Sequence, residues 1–150
     1  MRLFVEPPAD WQREQRGATV VFGHAGAVVE VPPIIPVPDD NRTWLRVTLG
    51  ADIAPPAQLQ IQRTEELECR DGWQGQVLLC TVTTPERTIE YRTGVFLRLL
   101  DDLGVCVAIR ALDRAAHDAA LSMWVPLLAV ARVVWNADGE IAAISQLYDP

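Results

Sequence analysis

Residues 59–83 read LQIQRTEELECRDGWQGQVLLCTVT, and their polarity sets the fold class. Over residues 59–69 the odd positions carry Leu59, Ile61, Leu67 and Cys69, while the even ones carry Gln60, Gln62, Glu66 and Glu68. Period-two alternation puts one set on each face of a strand, so this is a strand with one wet side. Arg70-Asp71-Gly72-Trp73-Gln74-Gly75 supplies turn chemistry, with two glycines free to take positive φ. Residues 77–83 return as a second strand. Thr84-Pro85-Glu86-Arg87 turns again, and Ile89, Tyr91, Thr93, Val95, Leu97 and Leu99 keep one parity up to Asp101. Asp101-Asp102-Leu103-Gly104 closes the next hairpin, and Val105, Val107 and Ile109 form the last strand. Four strands joined by short turns make an antiparallel meander.

Outward from this centre the signals change. Toward the N-terminus, residues 18–22 and 27–31 read as strands around the hairpin sequence GHAG, with a short apolar run at residues 3–6. PPIIPVPDDN loses four amide donors to proline and reads as extended chain or a sheet edge. Residues 44–49 read as one more strand before ADIAPPA breaks the chain. Toward the C-terminus, Asp113 is a helix cap, and Leu121, Trp124 or Val125, Leu128 and Arg132 follow helical spacing. Pro126 predicts a break near Val125. Residues 133–148 fit a short helix capped by Asp138 or a hairpin through NADGE. The expectation is one α+β domain over residues 1–150: a twisted antiparallel sheet, one face under the C-terminal helix and the other open to water or a partner.

Composition excludes much chemistry. Lysine and arginine together number 13, and all are arginine. Schiff bases, phosphate-loop lysines and Ser-Lys dyads are therefore ruled out. So much alanine, arginine and proline also fits a GC-rich coding bias. Serine is confined to Ser122 and Ser145, and histidine to His24 and His117. A net charge of -7 with scattered arginines argues against nucleic-acid binding. Cys69, Cys80 and Cys106 form no CxxC pair and read as buried free thiols in a reducing compartment, with no metal site and no cofactor expected. Pro7 and Pro8 interrupt the N-terminus before a signal-peptide apolar region develops, and residues 119–134 are too broken to span a bilayer. A cytoplasmic protein without membrane insertion is expected.

Three groups of residues remain as site candidates. Glu65, Glu66, Glu68 and Asp71 form the densest acidic cluster, but alternation splits them between faces, as on a solvated strand. His24 sits in a glycine-flanked loop and His117 in the first turns of the helix; sequence places neither beside Ser122 or a cysteine, leaving His117–Cys106–aspartate as the one conceivable thiol triad. Arg92 and Arg98 share a strand face with Glu90, either as an ion-pair lattice with Glu66, Glu68 or Arg110 or as an anion or carboxylate site. Trp73, at a hairpin tip, is either an interface anchor or a ring folded over the sheet edge. Trp73, Arg92 and Arg98 are the expected binding residues; no catalytic residue is expected.

PADW followed by GATVVF, then EELECRDGWQGQVLLCTV, TGVFLRLL, GVCVAIRA and the helix AALSMWVPLLAVAR resemble, in order and polarity, the superfamily of PsbP, Mog1, DcrB and the type VI secretion effector chaperones. The resemblance implies an N-terminal hairpin, a meander of long strands and a C-terminal helix packed on the sheet. It also implies a helix where this chain carries its proline-broken segment, and a role in holding a protein partner. The expected function is a non-enzymatic protein-binding module, a chaperone or adaptor for a secreted effector, with a homodimer as a further option. A small-molecule enzyme or ligand binder of cone-shaped α+β type, with His24 or His117 in a pocket between helix and sheet, is the second reading. An immunity-type protein that binds a toxin by acidic complementarity is the third.

Overall fold

The computed structural model describes residues 2–37, 39–54, 57–99 and 102–134. Within them the chain is an α+β domain dominated by antiparallel sheet. β2 (Gln12–Arg16), β3 (Thr19–His24) and β4 (Ala27–Val31) form an N-terminal meander, followed by the two-residue β5 (Ile35–Pro36) and helix α1 (Asn41–Thr48). The long strands are β6 (Gln58–Glu68), β7 (Gln74–Thr83), β8 (Ile89–Arg98) and β9 (Leu103–Ala111). They run in the order β2-β3-β4-β9-β8-β7-β6, with β5 also on β9. Helix α2 (Arg114–Ala129) follows. A separate ribbon joins β1 (Arg2–Phe4) to β10 (Arg132–Val134). The alternative forms expected for the tail after residue 134 lie outside the described residues.

The four-strand meander forms in the expected order, with β9 beginning at Leu103 inside the expected turn, and α2 opens at the expected cap, where the Asp113 carboxylate accepts from the Ala115 and Ala116 amides at 3.4 and 3.3 Å. Its buried stripe is His117, Ala120, Trp124 and Leu128, a spacing of three and four that lays the helix on β9, β8 and β4. Val29, Val95, Leu97, Val105, Val107 and Ile109 supply the sheet side of that core.

The opposite face is not open. A second core of Val37, Trp44, Leu45, Leu49, Leu78, Cys80, Phe96, Cys106 and Ala108 lies there, roofed by α1. Residues 44–49, expected as a strand, are mostly helix: the Trp44 amide donates to the Asp40 carbonyl at 3.1 Å, the Thr48 hydroxyl to the Trp44 carbonyl at 2.7 Å, and the Leu49 amide to the Leu45 carbonyl at 2.8 Å. One turn places Trp44, Leu45 and Leu49 on the sheet side, so the short helix gains from packing what it lacks in length. Glycine makes the approach possible. A Cβ on Gly104 would sit 2.7 Å from the Leu97 carbonyl oxygen and 2.8 Å from the Trp44 ring. Gly104→Ala is expected to cost about 1–3 kcal/mol, read as a lower urea midpoint, because one of the colliding groups is backbone.

Two further expectations are corrected. Alternation along β6 does not run unbroken: the register shifts between Ile61 and Arg63, so Gln62 is the extra residue of a β-bulge. Leu59 therefore packs toward α1 and Leu67 toward α2. Helix α2 also does not break near Val125 but continues through Pro126 to Ala129. The missing proline amide would have donated to the Ser122 carbonyl, on an exposed flank where water can replace it, and the helix ends within one turn. Among the described residues no helix is long and apolar enough to cross a membrane.

Candidate binding groove beside helix α2

Because α2 lies over β9, β8 and β4, the strip formed by β6 and β7 extends past it on the same face. Two clefts run along this step, one of about 310 Å³ and one of about 250 Å³, and both use Leu79 as wall. The larger is lined by Val77 and Leu79 of β7, by Leu121, Ser122, Val125 and Pro126 of α2, and by Arg63 and Glu65, which pair with each other on β6. The smaller holds Gln62, Thr81, Tyr91, Arg114, His117 and Asp118. Polarity thus changes along one groove, apolar beside the end of α2 and hydrogen-bonding beside its start. The bulge is what brings Gln62 into it; its amide donates to the Thr81 hydroxyl at 3.0 Å.

His117 is the titratable residue in the buried stripe of α2. It is 3% exposed, and its Nε2 lies 2.8 Å from the hydroxyl of Thr93, itself 0% exposed. Its ring stacks on Tyr91 at 5.7 Å, and Nδ1 is 3.9 Å from the Asp118 carboxylate. A hydroxyl, an imidazole and a carboxylate in that order have the outline of a nucleophile–base–acid relay. The hydroxyl is sealed in the core, however, so no substrate can reach it; this is a satisfied core histidine. Burial lowers the pKa of His117, against a smaller opposite pull from Asp118. The thiol triad fails on topology: Cys106 belongs to the α1 core and His117 to the α2 side. Burial also pushes the Cys106 thiol up to about 12 and Cys80 to about 11, far from a reactive thiolate. His24 is exposed at the β3–β4 turn, its ring 5.5 Å from Trp11.

Trp73, Arg92 and Arg98 are not brought onto one surface. Trp73 is half-buried and packs against the α2-side core. Arg92 is 5% exposed and holds down the chain that follows α1: it donates to the Leu49 carbonyl at 2.7 Å, bidentately to Asp52 at 2.7 and 2.9 Å, and to Glu90 at 2.9 and 3.1 Å. Arg110 faces Arg92 across β8 and β9; Asp52 lies 3.7 Å from Arg110, so one carboxylate separates two guanidiniums, while Glu30 pairs with Arg110 at 2.8 Å. The Arg92 hydrogen bonds, outweighing desolvation, lower the pKa of Asp52. Arg98 lies over the Trp44 ring at 5.2 Å and donates to the Asp39 carbonyl at 3.2 Å. Arg92 is thus in an ion-pair lattice, but with Glu90 and the loop residue Asp52 and not with the expected Glu66 or Glu68, and on a buried face that holds α1. The acidic cluster is likewise split, with Glu65 lining the groove and Glu66 accepting from Gln76 at 3.3 Å.

Sequence reasoning missed the residues that make the groove. Gln62, Leu79, Leu121 and Val125 carry no motif; only the helical stripe of α2 and the length of β6 hint that one helix cannot cover the strip. No protein-family model matches the chain, and a search of the curated proteins returns no match.

Proposed function

We propose that this is a non-enzymatic binding domain that holds an apolar segment of a protein partner in the groove beside α2. The observation that carries the reading is the groove itself, where Leu79, Leu121, Val125 and Pro126 line a cleft of about 310 Å³ at the step between helix and sheet. Charged rims, Arg63 with Glu65 at one end and Arg114 with Asp118 at the other, would fix the orientation of a partner. The resemblance to the effector chaperones extends this to a chaperone or adaptor for a secreted protein, and α1, lying where that resemblance implies a helix, supports it.

The test is quantitative. A protein captured by the wild-type domain is purified and titrated against variants. Val125→Glu is expected to weaken binding at least about tenfold while changing stability by about 1 kcal/mol or less, since Val125 is only half-buried. Arg98→Ala, on the α1 side, is expected to leave affinity unchanged. The reverse pattern would move the site to the α1 face. A small-molecule ligand is the second reading. It is favoured by the 250 Å³ cleft in which a histidine and an acid, His117 and Asp118, sit with Gln62, Thr81 and Tyr91. A purified domain that takes up small ligands there, displaced by Thr81→Val, would favour it.

A further inference from the structure

We propose that the His117–Thr93 contact is an acid-sensitive latch: protonation of the ring releases the first half of α2 from β8 and widens the groove that the helix walls. The inference concerns regulation of the groove and rests on the reading of that groove as the binding site. Its physical basis is the composition of the α2 seam. Below His117 the buried stripe is Ala120, Trp124 and Leu128, all apolar; His117 is the polar link between the start of the helix and the sheet. A neutral ring fits there, because Nε2 meets the Thr93 hydroxyl and Nδ1 need carry no proton. A charged ring does not. It carries a donor on each nitrogen, and Asp118 at 3.9 Å is beyond hydrogen-bond reach of Nδ1. Relief requires the ring to move toward Asp118 and the water of the adjoining 250 Å³ cleft, and the helix turn that carries it must follow.

The groups around His117 set the direction. On α2, Asp118 favours the charge, and Arg114, one turn earlier, pairs with that same carboxylate at 4.0 Å. Tyr91 and Thr93 face it from β8, and Thr81, Cys80 and Gln62 line the same cleft from β7 and β6; none of these supplies a carboxylate. From β9 and β4 the side chains toward α2 are Ile109, Ala111, Ala27 and Val29, whereas Arg110 and Glu30 pair on the far side. Burial therefore dominates, and the ring is held neutral in the closed form.

Amide exchange between pH 7 and pH 5, corrected for intrinsic rates, tests the latch. Protection of the amides at residues 118–124 is expected to fall at least about tenfold further than protection in β8 and β9, which follows only the global stability. His117→Gln is expected to abolish that pH dependence. If this variant does not fold, Asp118→Asn serves, because it removes the charge that favours protonation and should move the loss to lower pH. Uniform loss across the chain, no loss, or a local loss unchanged in both variants would overturn the latch. The Val125→Glu binding result at pH 7 is independent of all three, so failure of the latch and failure of the groove are distinguishable.

Discussion

Trp124→Ala is expected to lower stability by about 3–5 kcal/mol, seen as a fall of roughly 10–15 °C in Tm for a chain of this size. Trp124 is 0% exposed and is the largest side chain that α2 places in the core. Its ring is met edge-on by Trp11 at 5.3 Å and at a tilt by Phe22 at 5.0 Å, so truncation removes packing from helix, strand and N-terminal loop together. Among the described residues the indole nitrogen of Trp124 has no hydrogen-bond partner. Trp124→Phe therefore loses area but also removes an unmet donor, and is expected to cost no more than about 2 kcal/mol. Calorimetry of the two variants separates them. Equal losses would mean that a phenyl ring recovers none of the packing, so that the unmet indole donor carries no cost and only the full indole seats the helix.

Arg92→Met is expected to cost about 2–3 kcal/mol, the next largest effect. Removing a nearly buried guanidinium leaves the Leu49 carbonyl and Glu90 without their donor. The figure is kept below that for a fully buried pair because Asp52 has a 54% exposed side chain and can turn to water. Loss of the Arg92 tie to the Leu49 carbonyl and Asp52 would also leave α1 less firmly held, so tryptophan emission should report loosening around Trp44 in native buffer. The pH dependence follows by sign. The folded-state pKa of Asp52 lies below its unfolded value, so its contribution is complete above about pH 4 and is lost as pH falls through the folded value. His117 acts in a higher window: its folded pKa is lowered, so stability is complete above about pH 6.5 and declines as pH falls below that. Arg92→Met should flatten the first limb and His117→Gln the second. An unchanged acid limb in Arg92→Met would remove Asp52 from the network's energetics.

Legibility in the sequence followed the strength of local constraint. The strands β8 and β9 could be read because one parity of Val, Leu and Ile persists along them, and β7 because an apolar run lies between turns rich in Gly, Pro and Asp. Asp113 marked the start of α2 because a carboxylate cap is a local device. Helix α1 was hidden: it is eight residues between proline-rich segments, and Trp44, Leu45, Val47 and Leu49 satisfy a strand pattern as well as a helical one. Tertiary packing over Gly94 and Gly104 decides in favour of helix. β2, QREQR, is wholly exposed, so no apolar alternation announces it; its polar side chains suit an edge strand. The bulge at Gln62 is set by pairing with β7 and inverts the faces of everything before it. Arg92 could be placed on the correct strand face, yet its partner Asp52 lies 40 residues away, in a loop without periodicity.

The groove beside α2 is the central claim, and side-chain oxidation footprinting of the purified domain with its captured partner tests it most directly. Bound partner is expected to protect Leu79, Leu121, Val125 and Pro126, while Val47 on α1 and Ile61 on β6, which are 61% and 46% exposed, keep their reactivity. Protection of Val47 and Ile61 with an unchanged α2 flank would contradict it and place the partner on the α1 face.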